Sequence, residues 1–213
     1  MLARSMIRVH HLNNSRSQRV LWLLEELGVP YEVVRYQRDT KTMLAPKELR
    51  GIHPLGKSPI IDDDGQIFAE TGLIVEYLVA RHGNEMAPQR DTTPYWRYKY
   101  WLHYAEGSLM PPLLLKLVID RLGFLGFPAR GFVASQLKLH LNFVEAELGA
   151  APWFAGDQFS AADIMMSFPL EAARARAGLD ETRPRLMDFL KRIRARPAYQ
   201  RALEKGGTYR YAA

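Results

Sequence analysis

Ser15 is placed where its hydroxyl group could stabilise a thiolate. It lies in the polar segment Asn13-Asn14-Ser15, between a predicted strand and a predicted helix. A free thiol has a pKa of about 8.5 and is mostly un-ionised at neutral pH, whereas thiols at helix N-termini have pKa values of roughly 3.5–7.5. Because the chain contains no cysteine, the sulfur would have to come from a ligand. The alternative is that Ser15 or Asn14 simply caps the helix, in which case Ser17 becomes the candidate hydroxyl.

Residues 51–78 contain two further features that are typical of a ligand site. Ser58-Pro59 opens a predicted strand, and a proline at the first position of a strand donates no hydrogen bond to the sheet. If their peptide bond is cis, the backbone of Ser58 would turn outward and could pair with an extended peptide. Glu70-Thr71 stands at the predicted start of a helix, whose free N–H groups and positive dipole end favour a carboxylate. A small acidic peptide would satisfy both features; the alternative is an ordinary hairpin followed by a capped helix.

The elements around these residues predict a small α/β domain. A strand at 6–12 is followed by a helix that ends at Gly28 and by a strand at 31–36. A short irregular helix, a hairpin with Asp64-Gly65 at its turn and a helix that ends near residue 82 complete the order. This order predicts a four-stranded mixed sheet with helices on both faces, in a domain of residues 1–82.

The rest of the chain predicts an all-helical domain. The polar segment 83–91 is interpreted as a linker, and the domain itself spans 92–213. Its first, long helix should be interrupted at Pro111-Pro112. Ser160 and Asp163 form a capping-box variant at a later helix start. The remaining helices are predicted at 132–148, 183–194 and 197–204.

One helix of this domain is unusually aromatic. Six tyrosines and tryptophans between residues 95 and 104 are too dense to share a single face, so some should be core and some interface. Tyr104, Met110 and Leu114 are candidate linings of an apolar pocket for a co-substrate.

Composition narrows the possible classes of protein. The chain of 213 residues is 47% hydrophobic and 24% charged, as in soluble globular proteins. No apolar run approaches the ~20 residues of a membrane span, and the N-terminal residues lack the apolar core of a signal peptide, so we expect a cytoplasmic protein that does not bind membranes. Six histidines without metal-ligand spacing predict no metal. The net charge of +6 lies mainly in the C-terminal part, where arginines alternate with apolar residues and indicate a solvated helix face rather than a nucleic-acid surface.

Three motifs resemble the glutathione S-transferase superfamily, in order and at family spacing. They are LNNSRSQRVLWLLEELGVPYE, HPLGKSPIIDDDGQIFAETGLIVEYL and WFAGDQFSAADIMM. The first two look most like soluble bacterial and fungal members that use a serine. The resemblance implies a thioredoxin-like domain that binds glutathione, a helical domain that forms most of the electrophile pocket, and a homodimer.

The resemblance also implies roles for individual residues. Ser15 matches the catalytic serine, and five others match glutathione-binding positions: Lys57, Ser58, Pro59, Glu70 and Thr71. Thr71 stands where the family has a serine, and this replacement preserves the hydroxyl. Gly72 adds no side chain beside it. Glutathione would be a co-substrate, and no cofactor is implied.

Two functions follow for such a chain. The first is a glutathione transferase that conjugates the thiolate to small hydrophobic electrophiles in detoxification, with a glutathione peroxidase side activity. The alternative is a non-enzymatic binding protein on the same fold, whose basic helices contact a partner protein or nucleic acid. The absence of cysteine disfavours a cysteine-type thiol transferase of the superfamily.

Overall fold

The computed structural model describes residues 6–212 of the chain. It divides into two compact units. The first combines the N-terminal 84 residues with the C-terminal segment from Arg194 onward, and the second spans Glu85–Ile193.

Within the described residues, regular structure comprises four strands and eight α-helices. The strands are β1 (Ile7–Leu12), β2 (Tyr31–Tyr36), β3 (Ile60–Asp63) and β4 (Gln66–Ala69). The helices are α1 (Ser17–Leu27), α2 (Thr71–His82), α3 (Thr93–Tyr104), α4 (Met110–Arg121), α5 (Phe127–Glu147), α6 (Ala161–Arg176), α7 (Pro184–Arg194) and α8 (Pro197–Gly206).

The first unit is built on a four-stranded mixed sheet, as predicted. The strand order is β2-β1-β3-β4; β1 and β2 are parallel, whereas β3 runs antiparallel to both of its neighbours. In β1 every residue except Arg8 is buried. Successive side chains of a strand point to opposite faces, so burial of consecutive residues means that both faces of the sheet are covered at β1.

Helix α1 ends as the sequence predicts. Gly28 adopts the left-handed conformation, with φ of 62°. The N–H of Val29 donates to the carbonyl of Leu24 at 3.1 Å, and the N–H of Gly28 donates to that of Glu25 at 3.4 Å. This pattern satisfies the last carbonyls of the helix and is the usual role of a glycine that follows a helix.

The C-terminal helix α8 packs against α1 in the first unit, although the predicted helical domain ran from 92 to 213. The rings of Trp22 and Tyr199 meet edge to face, with centroids 5.1 Å apart. Glu26 accepts two hydrogen bonds from the guanidinium of Arg196, at 2.6 and 2.9 Å. An aromatic contact and a bidentate ion pair between segments so distant in sequence explain why the chain end joins the sheet-containing unit.

The second unit is helical, and two of its helix starts bear directly on the sequence predictions. Helix α4 begins with Pro111-Pro112 in its first turn, and a π-helical segment, Ala105–Leu109, separates it from α3. Proline is tolerated in the first turn of a helix, where the N–H groups have no partner within the helix, so the interruption of the long helix lies just before Pro111-Pro112 rather than at them. At the start of α6, the carboxylate of Asp163 accepts from the N–H groups of Phe154 and Ser160, at 2.9 and 2.8 Å. The predicted capping box is therefore confirmed.

Candidate active site

The register of the sheet brings three loop segments to one edge. His10 of β1 pairs with Ile60 of β3, and Ile60 pairs with Ala69 of β4. The end of β1, the start of β3 and the end of β4 therefore lie side by side. Ser15 follows β1, Ser58-Pro59 precedes β3 and Glu70-Thr71 follows β4, so one edge of the first unit carries all of these predicted residues.

Ser15 lies in the turn between β1 and α1 and is buried. Its Oγ is 2.8 Å from the Oγ of Ser17 and accepts a hydrogen bond from the N–H of Ser17 at 3.2 Å. Helix α1 begins at Ser17, with Arg16 in the cap position. Ser15 thus satisfies the first N–H group of the helix from just outside it, as expected for a hydroxyl at the positive end of a helix.

Ser17 is the second candidate hydroxyl, and it faces the protein interior. It is fully buried, and its Oγ is 2.9 Å from Nδ1 of His11. It also accepts from the N–H of Leu12 at 3.2 Å. With these partners inside the fold, Ser17 ties the start of α1 to the end of β1, and Ser15 is the hydroxyl that lies further out along the turn.

Ser58 is tied to the same strand end. The Ser58–Pro59 peptide bond is cis. The Oγ of Ser58 donates to the carbonyl of His10 at 2.9 Å and accepts from the N–H of Leu12 at 3.3 Å. The N–H of Leu12 is therefore shared by the hydroxyls of Ser17 and Ser58, so the turn that carries Ser15 and the loop that carries Ser58 are anchored at one point.

Helix α2 starts with an open N-terminus. Glu70 occupies the cap position, as predicted, and its carbonyl accepts from the N–H of Ile74 at 3.0 Å. The three N–H groups before that of Ile74 belong to Thr71, Gly72 and Leu73, and no side chain in the described part of the chain caps them. Such groups, together with the helix dipole, form a seat for a carboxylate.

Glu70 itself has an unusual backbone conformation. Its φ is 71° and its ψ 119°, a combination that a residue with a side chain rarely adopts. Strained backbone of this kind typically costs about 1–3 kcal/mol and is concentrated at functional sites. The backbone of Glu70 is thus strained at the residue whose exposed carboxylate lies next to the buried Thr71.

Positively charged side chains accompany the polar edge. Arg38 donates from its side chain to the carbonyl of Asn13 at 3.1 Å and from its backbone N–H to Asn13 Oδ1 at 2.9 Å. Lys57 is exposed directly before Ser58. A cation beside the Ser15 turn and another beside Ser58 favour a ligand that carries carboxylates.

The candidate co-substrate residues belong to the helical unit. Tyr104 is buried, and its hydroxyl is 2.6 Å from Nδ1 of His140; burial raises the pKa of Tyr104. Met110 is buried at the start of α4, whereas Leu114 is half exposed one turn later. A cavity of about 340 Å³ in this unit is lined by residues of α4 and α5, but by none of these three side chains. Their role in a co-substrate pocket stays a prediction.

His11 is a residue of the site that sequence reasoning missed. It is buried behind Ser17, and burial, with a smaller contribution from Arg35, lowers its pKa to about 4. A hydrogen bond to the backbone of Gly206 opposes that shift. The spacing of the histidines does not indicate that His11 lies behind Ser17, because Gly206, its neighbour on the side away from Ser17, lies near the far end of the chain.

A sheet in this order, with an open helix start beside a cis-proline loop and an all-helical second unit, defines a thioredoxin-like domain joined to a helical one. Two family models match the chain: the N-terminal domain of glutathione S-transferase over residues 4–80 and the C-terminal domain over residues 115–192. Glutathione S-transferase 3 of Schizosaccharomyces pombe is 36% identical over 94% of this chain and 88% of its own. Glutathione S-transferase 1 of Saccharomyces cerevisiae is 33% identical over 94% and 95%.

Solved structures agree with these relatives. A glutathione S-transferase of Actinobacillus pleuropneumoniae has a TM-score of 0.88 and 34% identity, and the match covers 97% of this chain and 96% of that one. The chain belongs to the glutathione S-transferase family.

Proposed function

We propose that the protein is a glutathione transferase that ionises the thiol of glutathione at Ser15 and adds the thiolate to small hydrophobic electrophiles. The observation that carries this proposal is the convergence of Ser15, Ser58 and the open start of α2 on one sheet edge. Glutathione offers a carboxylate at each end and a thiol between them, and this edge presents complementary groups.

Each part of the tripeptide has a partner in this proposal. The γ-glutamyl carboxylate binds the N–H groups and the hydroxyl at Thr71, and its ammonium group binds the carboxylate of Glu70. The cysteinyl backbone pairs with that of Ser58, beside Pro59. Lys57 attracts the glycyl carboxylate.

The role of Ser15 is to donate its O–H to the sulfur. A hydrogen bond to the ionised form of a group lowers its pKa, and each unit of pKa corresponds to about 1.4 kcal/mol. The thiol proton leaves to solvent, and the thiolate forms a C–S bond with the electrophile; with an aryl halide the C–halogen bond breaks and halide leaves. Reduction of organic hydroperoxides to alcohol and water would be a side activity, in which two glutathione molecules supply the electrons and leave as the disulfide.

We also propose that the protein acts as a homodimer, which light scattering of the purified chain would test. It acts in the cytoplasm, where thiols are kept reduced and glutathione is present in the form that the reaction consumes. Within residues 6–212, no helix combines the length and apolar character that crossing a bilayer requires.

Retention on immobilised glutathione, combined with turnover of a generic aryl halide, tests the function. We expect the wild-type protein to be retained and to conjugate the halide. Ser15→Ala should be retained but lose about 10- to 150-fold in kcat, because a hydrogen bond to a charged group contributes about 1.5–3 kcal/mol. Ser135→Ala is the matched control, since Ser135 is an exposed serine of α5 whose hydroxyl donates to the carbonyl of Phe132 in its own helix. Retention without any turnover would favour the non-enzymatic binding protein instead.

A further inference from the structure

The C-terminal segment of the first unit reaches the turn that carries Ser15. The backbone N–H of Arg210 donates to Oδ1 of Asn14 at 2.8 Å. Asn14 directly precedes Ser15 and has a φ of 50°, in the left-handed region. On either side of Arg210, Tyr209 and Tyr211 are buried, with ring centroids 5.4 Å apart. The donor is therefore held on a packed stretch of chain rather than on a free end.

A second connection approaches Ser15 from the interior. The last residue of α8, Gly206, lies next to the ring of His11: a Cβ built at Gly206 would be 3.4 Å from Cε1 of that ring. Nδ1 of His11 lies 2.9 Å from Ser17 Oγ, which in turn lies 2.8 Å from Ser15 Oγ. The chain of contacts thus runs from α8 through β1 and the first residue of α1 to the Ser15 hydroxyl.

The direction of these hydrogen bonds follows from the proton count. Burial lowers the pKa of His11 to about 4, so the ring is neutral near pH 7 and carries one N–H. For Ser15 to keep its O–H for the sulfur, the Ser17 hydroxyl must donate to Ser15 Oγ, and Nδ1 of His11 must then carry the ring N–H and donate to Ser17 Oγ. Arg35 on β2 is the charged group that acts on His11, and its positive charge also favours the neutral ring. A buried chain of hydrogen bonds holds its members in defined positions.

We propose that the C-terminal segment is part of the thiol-activating site, because Arg210 through Asn14, and Gly206 through His11 and Ser17, position the hydroxyl of Ser15. This inference rests on the proposed function of Ser15. Asn14, Ser17 and His11 act as positioning residues: they set where the Ser15 oxygen lies relative to the sulfur, and they do not themselves contact it.

Variants of Asn14 test the first connection. Asn14→Gly keeps a residue that tolerates the positive φ but removes the acceptor for the Arg210 N–H, whereas Asn14→Asp keeps the acceptor. We expect Asn14→Gly to lower kcat/KM for an aryl halide at neutral pH by about 10-fold or more, as for residues that orient the primary contact at other sites. In Asn14→Gly, the acid limb of the pH profile of kcat/KM should move to higher pH, because a displaced hydroxyl stabilises the thiolate less. The Kd for glutathione should stay within about twofold of wild type, and Asn14→Asp should recover most of the rate.

A substitution on α8 tests the second connection. A Cβ at Gly206 would lie 2.6 Å from Gln18 Oε1 and 3.0 Å from Leu21 Cδ1, so Gly206→Ala should push the end of α8 away from α1 and thereby from the neighbouring ring of His11. Gly51→Ala is the control, because nothing lies within 4 Å of a Cβ there. We expect Gly206→Ala, but not Gly51→Ala, to move the acid limb to higher pH while glutathione is still bound.

The outcomes separate this inference from the function on which it rests. If wild type neither binds glutathione nor turns over the halide, the proposed function fails. If the wild-type protein is active and the pH profiles of Asn14→Gly and Gly206→Ala are the same as the wild-type profile, the C-terminal segment does not position Ser15. A thermal unfolding scan of each variant accompanies the kinetics, and equal rate losses in Asn14→Gly and Asn14→Asp with an unmoved acid limb would likewise overturn the inference.

Discussion

Replacing Glu70 by glycine should weaken glutathione binding without weakening the fold. The backbone at Glu70, with φ of 71° and ψ of 119°, costs about 1–3 kcal/mol for a residue with a side chain. Glycine adopts such angles freely, and its own disadvantage is about 0.5–1 kcal/mol of unfolded-chain entropy. The balance predicts a melting temperature that is unchanged or higher in Glu70→Gly.

The same substitution removes the carboxylate that we assign to the ammonium group of the γ-glutamyl end. A hydrogen bond between charged groups contributes about 1.5–3 kcal/mol, so the Kd for glutathione should rise by about 10-fold or more. Titration calorimetry gives the Kd and scanning calorimetry the melting temperature.

Glu70→Ala separates the two effects. It loses the same carboxylate but keeps a Cβ in the strained conformation, so its Kd should match that of Glu70→Gly while its melting temperature is lower. An unchanged Kd in both variants would refute the assignment of Glu70 to the ligand. A melting temperature that falls further in Glu70→Gly than in Glu70→Ala would refute the account of its backbone.

Two predictions concern the stability of the two units. Asp163→Ala should lower the free energy of unfolding by at least about 2 kcal/mol, because the buried N–H groups of Phe154 and Ser160 lose their acceptor; denaturant titration measures this, and Asp157→Ala, at an exposed carboxylate, is the control. At Glu25, burial favours a higher pKa, but hydrogen bonds from Lys205, Arg201 and Tyr31 outweigh it, so the pKa is lowered on folding. The resulting stability is present above the unfolded pKa of about 4.3 and is lost as the pH falls through the folded value. Glu25→Gln should therefore flatten the decline of stability in acid, and a decline as steep as that of wild type would count against this ion-pair cluster.

Local signals account for what the sequence predicts well. Gly28 after a helix and Ser160 with Asp163 before one are set by neighbouring backbone groups, and the structure confirms both. The mixed sheet follows from the order of the elements, and the register then brings Ser15, Ser58 and Glu70 to one edge.

Contacts between distant segments are what the sequence does not reveal. His11 looks like any residue of a buried strand, and only the folded chain brings Gly206 to its ring. The placement of α8 in the first unit depends on the pairing of Glu26 with Arg196, two charges that periodicity alone assigns to solvated helix faces. Candidate pocket residues such as Leu114 are equally out of reach, because helical spacing gives a face but not what that face meets.

The ionisation of bound glutathione tests the central claim most directly. The thiolate absorbs in the ultraviolet, so titrating the complex with pH gives the pKa of the bound thiol. We predict a value within the roughly 3.5–7.5 range of thiols at helix N-termini for wild type, and a rise of at least about one unit, or 1.4 kcal/mol, in Ser15→Ala. A bound thiol that titrates near 8.5 in wild type, or equally in wild type and Ser15→Ala, would contradict the claim that this hydroxyl holds the sulfur as a thiolate.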